Sequence, residues 1–125
     1  MTYRPRWQGK QPRYTPGRMN GTESAYAEKL RLLQSSGAIE AYVFESVKLR
    51  LADNTYYTPD FFVIYEDHFE IHEVKGFWRE DARVKWKVAA EQFPWFRFVA
   101  AQMLPKKQGG GWKIEVYGEK EKQNE

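Results

Sequence analysis

Residues 61 to 65 read Phe-Phe-Val-Ile-Tyr, five apolar side chains in succession between Pro59-Asp60 and Glu66-Asp67. Side chains of a strand alternate between the two faces of a sheet, so a run that is apolar at every position predicts a central strand. Pro59 has no amide proton and marks a bulge or an irregular start to the strand predicted over residues 55 to 65. The strand predicted before it, residues 42 to 51, places Val47, Leu49 and Leu51 on one face and Lys48 and Arg50 on the other, with Asp53-Asn54 as the turn. After a second turn at Glu66-Asp67-His68, residues Phe69 to Lys75 form a third strand. Its period of two puts Phe69, Ile71, Glu73 and Lys75 on one face, so an apolar row becomes an acid and then an amine. Buried without partners these two groups would cost several kcal/mol; they must pair with each other or hold a ligand.

Helices bracket these strands. The first runs from about Gly21 to Ser36, with Asn20 as cap, Glu23 completing a capping-box pattern and Gly37 ending it. Tyr26, Ala27, Leu30 and Leu33 form its apolar face, and Glu23 falls on that stripe one turn upstream. Glu23 is therefore either a cap or a group aimed into a site. The second helix, from Arg79 to about Phe93, begins with Glu80 and Asp81 at the positive end of its dipole, lines up Ala82, Trp86, Ala89 and Phe93, and stops at Pro94. Phe96, Phe98 and Ala100 alternate in a fourth strand, and Trp112, Ile114 and Val116 in a fifth, across a Gln108-Gly109-Gly110-Gly111 connector. The predicted class is α/β, with helix, three antiparallel strands, helix and two further strands (αβββαββ) over residues 21 to 118. A charged, disordered tail is predicted over 119 to 125.

At 125 residues the chain has room for one such domain, and the 17% aromatic content suits a packed core. The absence of cysteine excludes a disulfide framework, a Cys-based zinc site, an iron-sulfur cluster and thiol catalysis. No apolar run approaches the roughly 18 residues that span a membrane, and the first 20 residues lack a signal peptide's apolar stretch, which makes the cytoplasm the default compartment. The net charge of +3 is unevenly placed. Residues 1 to 20 carry Arg4, Arg6, Lys10, Arg13 and Arg18 without an acid, which leaves 15 basic against 17 acidic residues, about −2, in the rest. Tyr3, Trp7, Tyr14 and three prolines interleave with those cations. Such an arm is either a solubilising leader or a clamp on a polyanion with bases to stack upon.

The sequence contains one Pro-Asp, Pro59-Asp60, opening the second predicted strand, and one acid-x-Lys triplet, Glu73-Val74-Lys75, ending the third, with 12 residues between the two acids. With an inward Glu23 on a capped helix upstream, this arrangement resembles the PD-(D/E)XK nuclease superfamily of restriction-endonuclease-like fold. The likeness covers roughly residues 21 to 100 and is nearest to small phage-encoded endonucleases of the Holliday-junction-resolvase kind.

The resemblance implies a Mg²⁺-dependent DNA endonuclease, with Mn²⁺ able to substitute, selective for branched or junction DNA and acting as a homodimer. Asp60 and Glu73 would hold the metal with the Val74 carbonyl, a hard cation preferring oxygen ligands. Lys75 would orient the attacking water and stabilise phosphorane charge. Glu23 would be the third acid, with Glu28 a weaker choice on another face. Phosphate contacts are expected from the arm and from Arg79, Arg83 and Lys87, spaced four apart on the second helix. Two other functions fit the same residues: an accessory nuclease subunit of a transposase-like or other DNA-processing complex, and a catalytically silent DNA-binding module. His68 falls in a turn and His72 faces away from Glu73, so neither joins this set.

Overall fold

The computed structural model describes residues 17–119. Arg4, Arg6, Lys10 and Arg13, and the predicted tail beyond Glu119, lie outside them. Helix α1 (Gly21–Ser35) starts at a reciprocal cap: the Glu23 amide donates to Asn20 Oδ1 at 2.8 Å, and the Asn20 amide donates to Glu23 Oε1 at 2.9 Å. Gly37, at φ 84°, takes the left-handed conformation that releases the chain from the helix. There follow β1 (Ala41–Phe44), β2 (Leu49–Ala52), β3 (Thr55–Tyr57), β4 (Phe61–Ile64), β5 (Phe69–Lys75), α2 (Glu80–Gln92), β6 (Arg97–Met103) and β7 (Trp112–Val116), with a short 3-10 turn at Lys106–Gln108.

The predicted order of helix, three strands, helix and two strands is overturned. Five strands form a mixed sheet in the order β1-β4-β5-β6-β7, and β2 and β3 form a separate antiparallel hairpin. Two predicted strands have each broken in two. Residues 42 to 51 divide at Glu45, which sits at φ 49° and donates its amide to the Asp60 carbonyl at 2.8 Å. Residues 55 to 65 divide at Thr58-Pro59-Asp60, where Pro59 has no amide to offer a ladder. Local alternation survives each break, and for that reason the sequence pattern did not reveal the change of sheet.

Within the large sheet β5 and β6 run parallel while the other neighbours are antiparallel. One face packs Tyr26 and Leu30 of α1 against Phe61, Val63, Val74 and Ala101. The other packs Trp86, Ala89 and Ala90 of α2 against Ile71, Phe98 and Ala100, with Leu49 and Tyr57 of the hairpin closing the same core. β4 is thus an interior strand, second in the sheet between β1 and the central β5, and covered on both sides, as its unbroken apolar run requires. The parallel pair brings the carboxyl ends of β5 and β6 to one edge, the place where open α/β sheets form their crevices.

Candidate functional site

At that edge three acids from different elements converge. Glu23 comes from the first turn of α1, Asp60 from the irregular step before β4, and Glu73 from the end of β5; all are at least nine-tenths buried. Asp60 Oδ2 accepts the Val74 amide at 2.8 Å, which aims its carboxyl between the other two. Asp60 is hydrogen-bonded to both Glu73 and Glu23. Tyr57, reaching in from the hairpin, donates its hydroxyl to Glu73 Oε2. Lys75 Nζ lies 3.9 Å from Glu73 Oε1 and is one-third exposed.

Crowded carboxyls in a dry place hold protons. Burial first, and then the charge and hydrogen bond of Glu73, push the Asp60 carboxyl up to about 8 against the opposing Val74 amide. Burial likewise raises Glu23 to about 7, helped by Asp60 and opposed by the Asn20 amide. Burial and the neighbouring Glu73 raise the Tyr57 phenol, which stays a donor. A consistent proton arrangement is Glu23 donating to Asp60, Asp60 donating to Glu73, and Glu73 accepting from Tyr57 as well. Glu23 is both cap and pocket member, through one oxygen held by a backbone amide and a carboxyl that meets Asp60.

This arrangement corrects the metal expectation. Among the described residues, no group of three or more Asp, Glu, His or Cys side chains is placed to hold a metal ion. The carboxyl oxygens of Glu23, Asp60 and Glu73 are turned to each other, to two backbone amides and to a phenol, so the oxygens a hard cation would take are already engaged. The Mg²⁺ or Mn²⁺ site on Asp60, Glu73 and the Val74 carbonyl is overturned, with Glu23 as its further ligand, and so is the metal-dependent endonuclease built upon it.

The cations meet different fates. Arg83, expected to track phosphates, places its guanidinium fork on Glu115 at 2.8 and 2.6 Å. Arg79 lies exposed at the start of α2, 3.8 Å from Asp81, and Lys87 is exposed on the same helix. Arg18 is exposed ahead of α1. Two features escaped sequence reasoning. One is Tyr57, whose only signal was its neighbour's apolar alternation with Leu49. The other is a cationic row: Lys75, Gln102 and Lys113 are in register across β5, β6 and β7, directly below Glu73, Ala100 and Glu115. Ala100 is too small to fill the space between its acidic neighbours. A cavity of about 120 Å³ remains there, lined by Trp78, Arg83, Ala100, Gln102, Lys113 and Glu115.

No family model, curated protein or solved structure matches this chain. Among the described residues, no helix is long and apolar enough to cross a membrane.

Proposed function

We propose that this chain is a DNA-binding protein that holds the phosphate backbone across the carboxyl ends of β5 and β6 and the amino end of β7. The observation that carries the reading is the in-register row Lys75–Gln102–Lys113. Opposed residues of neighbouring strands point to the same face at spacings of about 5 Å, so two ammonium groups flank an amide along one line. The adjoining pocket supports this use. Three ionised carboxylates would repel a polyanion, but the raised pKa values of Asp60 and Glu23 let protons remove part of that charge near neutral pH. The Pro59-Asp60 and Glu73-Val74-Lys75 motifs support DNA as the polyanion through their likeness to the PD-(D/E)XK superfamily, and branched DNA and a homodimer belong to the same proposal.

Fluorescence anisotropy with a labelled four-way junction and a matched duplex, between 50 and 200 mM salt, tests it. Binding should weaken with salt, and combined Lys75→Ala and Lys113→Ala substitution should lower the logarithmic salt slope by about two, one per phosphate contact. Absence of binding to both DNAs at 50 mM salt would refute the reading, and so would an unchanged slope in the double variant.

A further inference from the structure

The β2–β3 hairpin turns two different faces outward and inward. Leu49 and Tyr57 are paired across it and buried against α2, and Tyr57 continues to Glu73 in the pocket. Arg50 and Tyr56, the next pair in register, therefore face away from the core. Lys48, two residues before Arg50, shares that outer face and holds its ammonium 4.4 Å from the centre of the Tyr56 ring. Tyr56 is nevertheless 42% exposed, less than Phe69, Phe77 and Trp95, but it alone of these has an ammonium placed over its ring among the described residues. The nearest acid with a contact is Asp53 at the hairpin tip, 4.0 Å from Arg50 with both side chains largely exposed, a pair too solvated to neutralise the cation.

From this geometry we infer that the outer face of the β2–β3 hairpin is a stacking platform for an unpaired base of a bound DNA strand, with Tyr56 under the base and Lys48 and Arg50 on the flanking phosphates. The inference rests on the DNA-binding reading and deepens it. A ring stacks on any base and two cations beside it meet the backbone, which is the combination single strands require. Duplex DNA, with its bases already stacked, gains nothing from the ring. The fold also gives the platform a reason to exist outside the sheet. A two-stranded ribbon is marginal alone, and this one is anchored on its inner face by Leu49 and Tyr57, so the outer face contributes nothing to the core and is free for contact.

The test uses the full chain, a 20-nucleotide oligothymidine carrying one 2-aminopurine, and the matched duplex. Tyr56→Ala should weaken single-strand binding about tenfold, within the range measured for base–aromatic stacking, while leaving duplex binding within about twofold. Tyr56→Phe should restore the single-strand affinity, and 2-aminopurine fluorescence should be quenched by the wild-type and Phe proteins but not by the Ala variant. Lys48→Ala should weaken both DNAs and lower the salt slope by about one. Equal losses on single strand and duplex in Tyr56→Ala, or no loss on either, would overturn the platform and leave DNA binding standing. Failure of the wild-type protein to bind either DNA would overturn both readings.

Discussion

Glu70 and Glu73 lie three residues apart on β5, each 5% exposed, on opposite faces of the sheet. Their surroundings are opposite too. Glu70 is matched: its Oε1 meets His72 Nε2 at 2.8 Å, its Oε2 meets His68 Nε2 at 2.6 Å, and Arg97 stands 3.9 Å away. The chain continues at both ends, from His72 Nδ1 to the Tyr26 hydroxyl at 2.7 Å and from His68 Nδ1 to Asp67 at 2.6 Å. Burial alone would raise the Glu70 carboxyl, but the two histidines and Arg97 outweigh it and hold it below the usual carboxylate range. Glu73 instead has acids and a phenol for its near neighbours, with one lysine, a third exposed, 3.9 Å away. A buried acid given bases is a structural joint, closed to new partners; a buried acid surrounded by acids is electrostatically unfinished and marks the place where function is sought.

The largest effect should come from the matched side. Glu70→Ala leaves His72 and His68 facing an empty acceptor site, and removal of one partner from a buried pair costs about 3 to 5 kcal/mol. Urea unfolding at pH 7 measures this, and a loss below about 1 kcal/mol would show that the two acids do not differ in the way described.

Next in size is a pH effect of opposite sign at the two ends of the strand. Asp60 and Glu23 have folded-state pKa values near 8 and 7, above ordinary values of 3.8 and 4.5. Folding therefore takes up protons, and the stability these groups contribute is complete below about pH 4 and lost as the pH rises through 7 and 8. Glu70, with a lowered pKa, contributes stability above about pH 4.5 that is lost as the pH falls. Asp60→Asn keeps an acceptor for the Val74 amide and removes the titration. It should raise stability more at pH 9 than at pH 5, by on the order of 4 kcal/mol, because about three pKa units of the Asp60 shift are traversed between pH 5 and pH 8 at about 1.4 kcal/mol per unit. Urea titrations at the two pH values distinguish this from a uniform change. In DNA binding, the wild-type protein should weaken between pH 7 and 9 more than the Asn variant does.

The smallest effect concerns the acid that serves two structures at once. Asn20→Ala removes the side-chain acceptor of the Glu23 amide and should cost about 1 kcal/mol, typical of an N-cap. Thermal unfolding reads the loss. A null result would make the pocket, rather than the cap, what holds the start of α1.

Much of the local structure was legible in the sequence. The capping box at Asn20 and Glu23, the turns at Asp53-Asn54 and Glu66-Asp67-His68, and the opposite facing of His72 and Glu73 all follow from short-range rules, and the structure contains each of them. The strand count failed because Glu45 and Pro59 interrupt two strands without disturbing alternation. Once β2 and β3 separate from the sheet, Tyr57 moves from an anonymous strand position to a donor on Glu73. The histidine network was missed for a related reason: His68, Glu70 and His72 alternate like any half-exposed strand, and only α1 packing Tyr26 over them closes the chain of hydrogen bonds.

The convergence of Asp60, Glu73 and Lys75 could be anticipated from motif and periodicity, because a period of two fixes which side chains share a face. Whether those carboxyls stand ready for a cation depends on something no spacing encodes, namely the directions in which their oxygens point and the protons they hold in a dry, crowded pocket. Register across strands is a property of the same kind. Residues 75, 102 and 113 are far apart along the chain, and only the pairing of β5, β6 and β7 makes Lys75, Gln102 and Lys113 into one row. The sequence by itself determined the amphipathic faces, the cap of α1 and the apolar interior strand, all of which depend on neighbours within a few residues. The tertiary structure decided the sheet order, the protonated acid pocket and the cationic row, because each depends on distant segments sharing one low-dielectric space.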